Sequence, residues 1–223
     1  MSRVSVSRIN STGISIMDFR TIVEESCPKC TSNIELRPCP DQYVGQVAAV
    51  ETEQTLRVRH PASDRPAGQQ CVLLVLESPH IDEFRDAPAP ARGTTGRHIV
   101  RYLRQVPGLE STDTFGLVLI NAVQYQCSLG QPPKSFRDVV FRAVWEGGGR
   151  SDFAARLKRL YRTGDTVVNC CTKGKSSNTT KQLRWLVHDA IALALPGAPV
   201  LNRNHPSFWQ VPENRKRDWA HAT

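Results

Sequence analysis

The stretch at residues 72–76, VLLVL, constrains this chain more than any other, because five consecutive apolar residues cannot form a surface that is half wet. A strand with one solvated face alternates; a strand covered on both faces, as in a parallel sheet, runs continuously apolar. The run passes straight into a polar elbow carrying Glu77, Ser78, Pro79, His80, Asp82 and Glu83. Ligands of open α/β sheets bind beyond the carboxyl ends of the strands, so this elbow is where chemistry is expected.

Residues 115–123, 165–171 and 198–202 read as further strands, and helical patterns lie between them. One helix follows the glycine turn 93–96 with Ile99, Val100 and Leu103 on its apolar face. Others cover residues 136–145 and 181–195, and another follows a triple-glycine break, with Ser151 as its N-cap. Alternating strands and helices predict an α/β fold: a three-layer α/β/α domain around a central, mostly parallel four-stranded sheet. That domain is expected over residues 70–223. Residues 1–69 would form an N-terminal extension: an aperiodic leader, an amphipathic helix near residues 15–27, a Cys-containing loop and short β-leaning pieces at 43–58.

Charge and cysteine usage narrow the partners. Lys and Arg number 29 against 21 Asp and Glu, for a net charge of +8, which favours a polyanionic partner. No apolar run approaches the roughly 20 residues that cross a bilayer, and the N-terminus lacks a signal-peptide core. The expectation is a cytoplasmic monomer, nucleoid-associated in a prokaryote, with no membrane role. Seven cysteines, two of them adjacent, argue against a secreted disulfide framework. Cys27 and Cys30 form a CxxC to which Cys39 could add a third ligand and His60 or Cys71 a fourth. Reduced thiols in a loop, a structural zinc site and redox chemistry all fit that spacing.

Two other features bear on function. Gly174, Lys175 and Ser176 look like the end of a P-loop between strand and helix, but the first glycine of that motif is Asn169 here and the intervening loop is bulky. A basic loop in which Lys173, Lys175 and Ser176 touch a phosphodiester is the better reading. Asn121 ends a buried strand, where its amide must find partners or cost about 1–3 kcal/mol. Glu77, Asn121 and His205 each lie at or just beyond a strand terminus, so a parallel sheet would gather them at one edge.

This combination resembles the uracil-DNA glycosylase superfamily, and most closely its family 4 branch. Glu77-Ser78-Pro79-His80, with Glu83 six residues after Glu77, resembles the branch's Glu-Ala-Pro-Gly motif and its second Glu. Gly93-Thr94-Thr95-Gly96 is similar to its Gly-x-x-Gly turn. Asn121 followed by Cys127, Pro132 and Pro133 resembles its third motif, and His205-Pro206-Ser207 its closing one. The matches run in order over about residues 70 to 210. Departures are His80 in place of glycine, Ser78 where the most active branch has a water-activating Asp, and Ala91 or Arg92 where a stacking aromatic belongs. Phe84 or Tyr125 would have to supply that ring. The family also implies an iron–sulfur cluster, for which Cys27 and Cys30 match the first pair and Cys127 roughly the third, while the fourth cysteine has no counterpart.

The resemblance implies a DNA glycosylase that hydrolyses the N-glycosidic bond of uracil or another modified base, acting on single strands or on a flipped base. Glu77 would activate water and stabilise the sugar cation, His205 would donate to the departing base, and Asn121 would read the pyrimidine edge. Ser78, Pro79, His80, Glu83, Phe84, Gly93, Gly96 and Ser207 would complete the pocket. The chemistry needs no cofactor. Two alternatives stand beside it: a fold of this kind that binds modified DNA or nucleotides without cutting, and a hydrolase of free nucleosides or nucleotides.

Overall fold

The structure is a computed structural model that describes residues 15–52, 56, 59–129 and 136–220. The leader before residue 15, and Pro132 and Pro133, lie outside the described residues. In chain order the helices and strands are α1 (Ile16–Ser26), β1 (Gln42–Gln46), α2 (Val47–Thr52), β2 (His60–Pro61), β3 (Cys71–Leu76), α3 (Thr94–Tyr102), β4 (Gly116–Asn121), α4 (Arg137–Val144), α5 (Arg150–Leu160), β5 (Thr166–Asn169), α6 (Leu183–Ala194), β6 (Val200–Asn202) and α7 (Pro212–Lys216).

All six residues of β3 are buried because both of its faces are covered. Cys71, Leu73 and Val75 point into a core shared with α1, α4, α5 and α6, through residues such as Phe19, Phe141, Phe153 and Ile191. Val72, Leu74 and Leu76 alternate onto the other face and pack with Val47 and Val50 of α2, Ile99 and Val100 of α3, and Trp209. The period of two along one strand thus feeds two cores, which is why the run shows no polar alternation.

The sheet has six strands in the order β2-β1-β4-β3-β5-β6. Strand β3 pairs parallel with β4 and β5, and β5 parallel with β6. Strand β1 lies antiparallel on β4, and β2 antiparallel on β1. The fold is α/β, but the sheet is mixed and six-stranded where a mostly parallel four-stranded one was expected. The physical reason lies in residues 42–61: β1 covers the free edge of β4, whose unpaired backbone groups would otherwise face water. The strand hides from pattern reading because it is short, holds Gly45 inside it and shifts register between Tyr43 and Gln46. Residues assigned to an N-terminal extension therefore build part of the sheet, and α1 contributes Phe19 and Val23 to the main core.

The triple-glycine break is crossed without a new cap. The chain kinks at Gly148, whose φ of 124° is not helical, between α4 and α5, and Ser151 lies inside α5, which has no side-chain cap. At the start of β3 and β5, a buried ion pair ties three segments together. Asp165, just before β5, accepts from both terminal nitrogens of Arg65 (2.7 and 2.8 Å) and from the backbone N–H groups of Cys71 and Arg162 (both 2.8 Å).

Candidate functional site

Parallel strands end on the same side, and the ends of β3, β5 and β6 open into one cleft of about 480 Å³. Its walls include Leu76 and the elbow after β3, the turn opening α3, Arg137 of α4, Thr172 and Lys173 after β5, and His205 and Ser207 after β6. Of the residues read from sequence, Glu77, Ser78, Pro79, His80, Glu83, Gly93, Lys173, His205 and Ser207 all line it.

Glu77 is only 3% exposed and accepts hydrogen bonds from the Ser78 hydroxyl (3.1 Å) and the Thr172 hydroxyl. The Arg137 guanidinium lies 3.5 Å from its Oε1. Burial lifts the Glu77 carboxyl above its ordinary pKa, while Arg137 and the two hydroxyls oppose that rise. A buried carboxyl that is still held by donors retains proton affinity without losing its orientation.

Across the cleft, His205 Nδ1 accepts the Ser207 backbone N–H at 3.3 Å and lies 2.9 Å from the Ser207 hydroxyl. A ring nitrogen that accepts a backbone N–H carries no proton, so the neutral imidazole bears its proton on Nε2. The ring is therefore set as a hydrogen-bond donor on the edge away from Ser207. His80 is held by the same kind of cap, its Nδ1 accepting the Asp82 N–H at 3.3 Å at the start of the short 3₁₀ turn Ile81–Phe84, but the Asp82 carboxylate also lies 3.2 Å from that nitrogen and the side chain is 43% exposed. This imidazole thus stands at the rim of the elbow.

The two glycines of the α3 turn serve different ends. Gly93 takes φ 72° at the helix N-cap and lines the cleft. Gly96 does not line it; a Cβ there would sit 2.0 Å from the Ala91 carbonyl oxygen, so its role is the close approach of helix and preceding turn.

Asn121 ends β4 in register with Leu76 but is not among the residues lining the cleft. It is 1% exposed, and neither atom of its amide meets a partner at ordinary hydrogen-bond geometry. The amide does lie near enough to Glu83 to draw that carboxyl's pKa down, against a larger opposite effect of burial, which lifts Glu83 to about 8. Such a carboxyl stabilises the fold in its neutral form, fully below the ordinary Glu value and less and less as pH rises through about 8. The urea midpoint is therefore expected to fall between about pH 5 and about pH 9, and Glu83→Gln to flatten that fall. Equal slopes for wild type and variant would contradict the assignment.

Several expected site residues lie elsewhere. Phe84 is buried, with Arg37 5.9 Å from its ring centroid, and Tyr125 stacks on Phe19 at 4.4 Å in the main core, so neither ring lines the cleft. Lys175 and Ser176 are exposed but outside it, and the Lys175 backbone N–H is engaged by Asp138. Cys27 and Cys30 are joined in a disulfide. Cys39 is fully buried, with its Sγ 3.9 Å from Glu83 Oε2. Among the described residues no group of three or more His, Cys, Asp or Glu lies together as in a metal site.

Sequence reading missed Arg137, Thr172 and Phe208. Arg137 opens a helix and Thr172 sits in a loop, and neither belongs to a motif; only the folded chain brings them to Glu77. Phe208 directly follows the His-Pro-Ser motif and is 49% exposed at the cleft, so an aromatic beside that motif was the available signal. Comparison with known proteins gives no match, whether to a family model, to a curated protein or to a solved structure.

Proposed function

We propose that the chain is a DNA glycosylase that hydrolyses the N-glycosidic bond of uracil or another modified base in single-stranded DNA or at a flipped nucleotide. The observation that carries this reading is the pairing, across one cleft at the strand ends, of a buried carboxylate with a histidine whose donor nitrogen is fixed. Breaking the bond leaves positive charge on the sugar and negative charge on the base, and these two groups answer those two needs.

In this mechanism Glu77 takes a proton from water as its oxygen bonds to the sugar's anomeric carbon, and the bonding electrons leave with the base. The His205 Nε2–H stabilises the anion that forms on the base oxygen. The products are the free base and an abasic sugar. Phe208 offers the aromatic face that Ala91 and Arg92 do not, and Lys173 offers a cation to the strand. The buried Asn121 amide, beside Glu83, carries both a donor and an acceptor, the pair that the edge of a pyrimidine requires.

A second reading, a protein of this fold that binds modified DNA without cutting, is favoured by the three partners that already occupy Glu77. An assay for abasic product over oligonucleotides carrying uracil, mismatched thymine and other modified bases separates the two. Abasic product supports the glycosylase, and tight, salt-sensitive binding without product supports the binder.

A further inference from the structure

The ion pair between Arg137 and Glu77 reaches the proposed base directly, and the proposed chemistry leaves it without a task. We infer that Arg137 is a positioning residue that keeps the buried Glu77 ionised and aimed so that it can accept the proton of water. This rests on the glycosylase reading for its catalytic consequence, while the pairing itself stands on geometry.

Glu77 is 3% exposed, and an isolated carboxylate at that depth would hold its proton at neutral pH and be useless as a base. Ser78 and Thr172 give it hydroxyl donors, which steady the carboxylate without supplying charge. The charge comes from Arg137. Its side chain is 18% exposed, its Nε lies 3.5 Å from Glu77 Oε1, and the same fork is braced by Asp138, which accepts from Nε and lies 3.0 Å from Nη2. Bracing by Asp138 fixes the guanidinium plane on α4, so Glu77 meets an oriented cation and not a loose one.

The other titratable groups acting on Glu77 are Asp138, on the same helix turn, and the thiols of Cys127 and Cys171. Burial holds both thiols neutral, and Asp138 opposes Arg137. Arg137 is thus the cation that Glu77 depends on most among these groups.

The test compares wild type with Arg137→Gln and Arg137→Lys. Side-chain carbon NMR is used to follow Glu77 titration, and excision is measured across pH. In Arg137→Gln the Glu77 midpoint should move upward by a pH unit or more, and the acid limb of kcat/KM should move with it, giving a loss of about tenfold or more below the midpoint. At high pH kcat should recover, and KM should change little. Arg137→Lys, which keeps the charge, should hold the midpoint near that of wild type. A Glu77 midpoint that stays put or falls in Arg137→Gln overturns the inference, as does one that rises as far in Arg137→Lys. So does a loss that is confined to KM. The NMR titration decides the role of Arg137 even if wild type cuts no substrate, an outcome that would defeat the glycosylase reading instead.

Discussion

Glu77→Gln is expected to reduce excision of uracil from single-stranded DNA by about 10²–10⁴-fold, the range lost with a general base, while the fold stays intact. Glutamine keeps the shape of the side chain, with its carbonyl oxygen accepting from one of the Ser78 and Thr172 hydroxyls and its amide donating to the other, but it cannot take a proton from water. The same substitution should raise stability at neutral pH. Burial lifts the Glu77 carboxyl above its unfolded value, so the stability it lends the fold is full below the ordinary Glu value and is lost as pH rises and the carboxyl ionises to the form needed for catalysis. A variant that melts higher than wild type and has lost excision is the signature of a strained functional carboxylate. A variant that melts lower and cuts normally would make Glu77 a structural residue.

The second large effect is on stability alone. Asp165→Ala should destabilise the chain by about 3–5 kcal/mol, the usual cost of removing one partner from a buried ion pair. Asp165 is fully buried and takes both terminal nitrogens of Arg65 together with two backbone N–H groups, at the starts of β3 and β5. Its loss would leave a guanidinium with 1% side-chain exposure unpaired. This cluster stands at the opposite ends of those strands from the cleft. Excision by the fraction that remains folded should therefore be unchanged, and urea unfolding read beside specific activity checks both halves.

How much of this could be read from sequence depended on how local each signal was. The run at 72–76 announced a strand covered on both faces, and the structure covers it on both faces because six apolar residues of β3 alternate between two cores. The elbow, the Gly93 turn, Lys173 and His205 were legible because each follows a strand or opens a helix, and parallel strands put such points on one side. The antiparallel β1 and β2 were not legible as sheet members: five residues with an interior glycine and two residues carry too little periodicity to declare a pairing with β4, far along the chain. Arg137 and Thr172 escaped for a similar reason, since their meaning lies wholly in their contact with Glu77. Phe84 misled because an aromatic near a motif can as easily turn inward, as this one does, while Phe208 stays out at the cleft. The CxxC spacing fits a metal site and a disulfide equally well, and here the two sulfurs meet each other.

The most direct measurement is the formation of abasic product from a uracil-containing single-stranded oligonucleotide by wild type, Glu77→Gln and His205→Ala. Cleavage at the uracil by wild type, lost or sharply reduced in both variants, is the result expected from a carboxylate and an imidazole acting across one cleft. Product formation that survives both substitutions, or wild type that leaves every base in place, would contradict it.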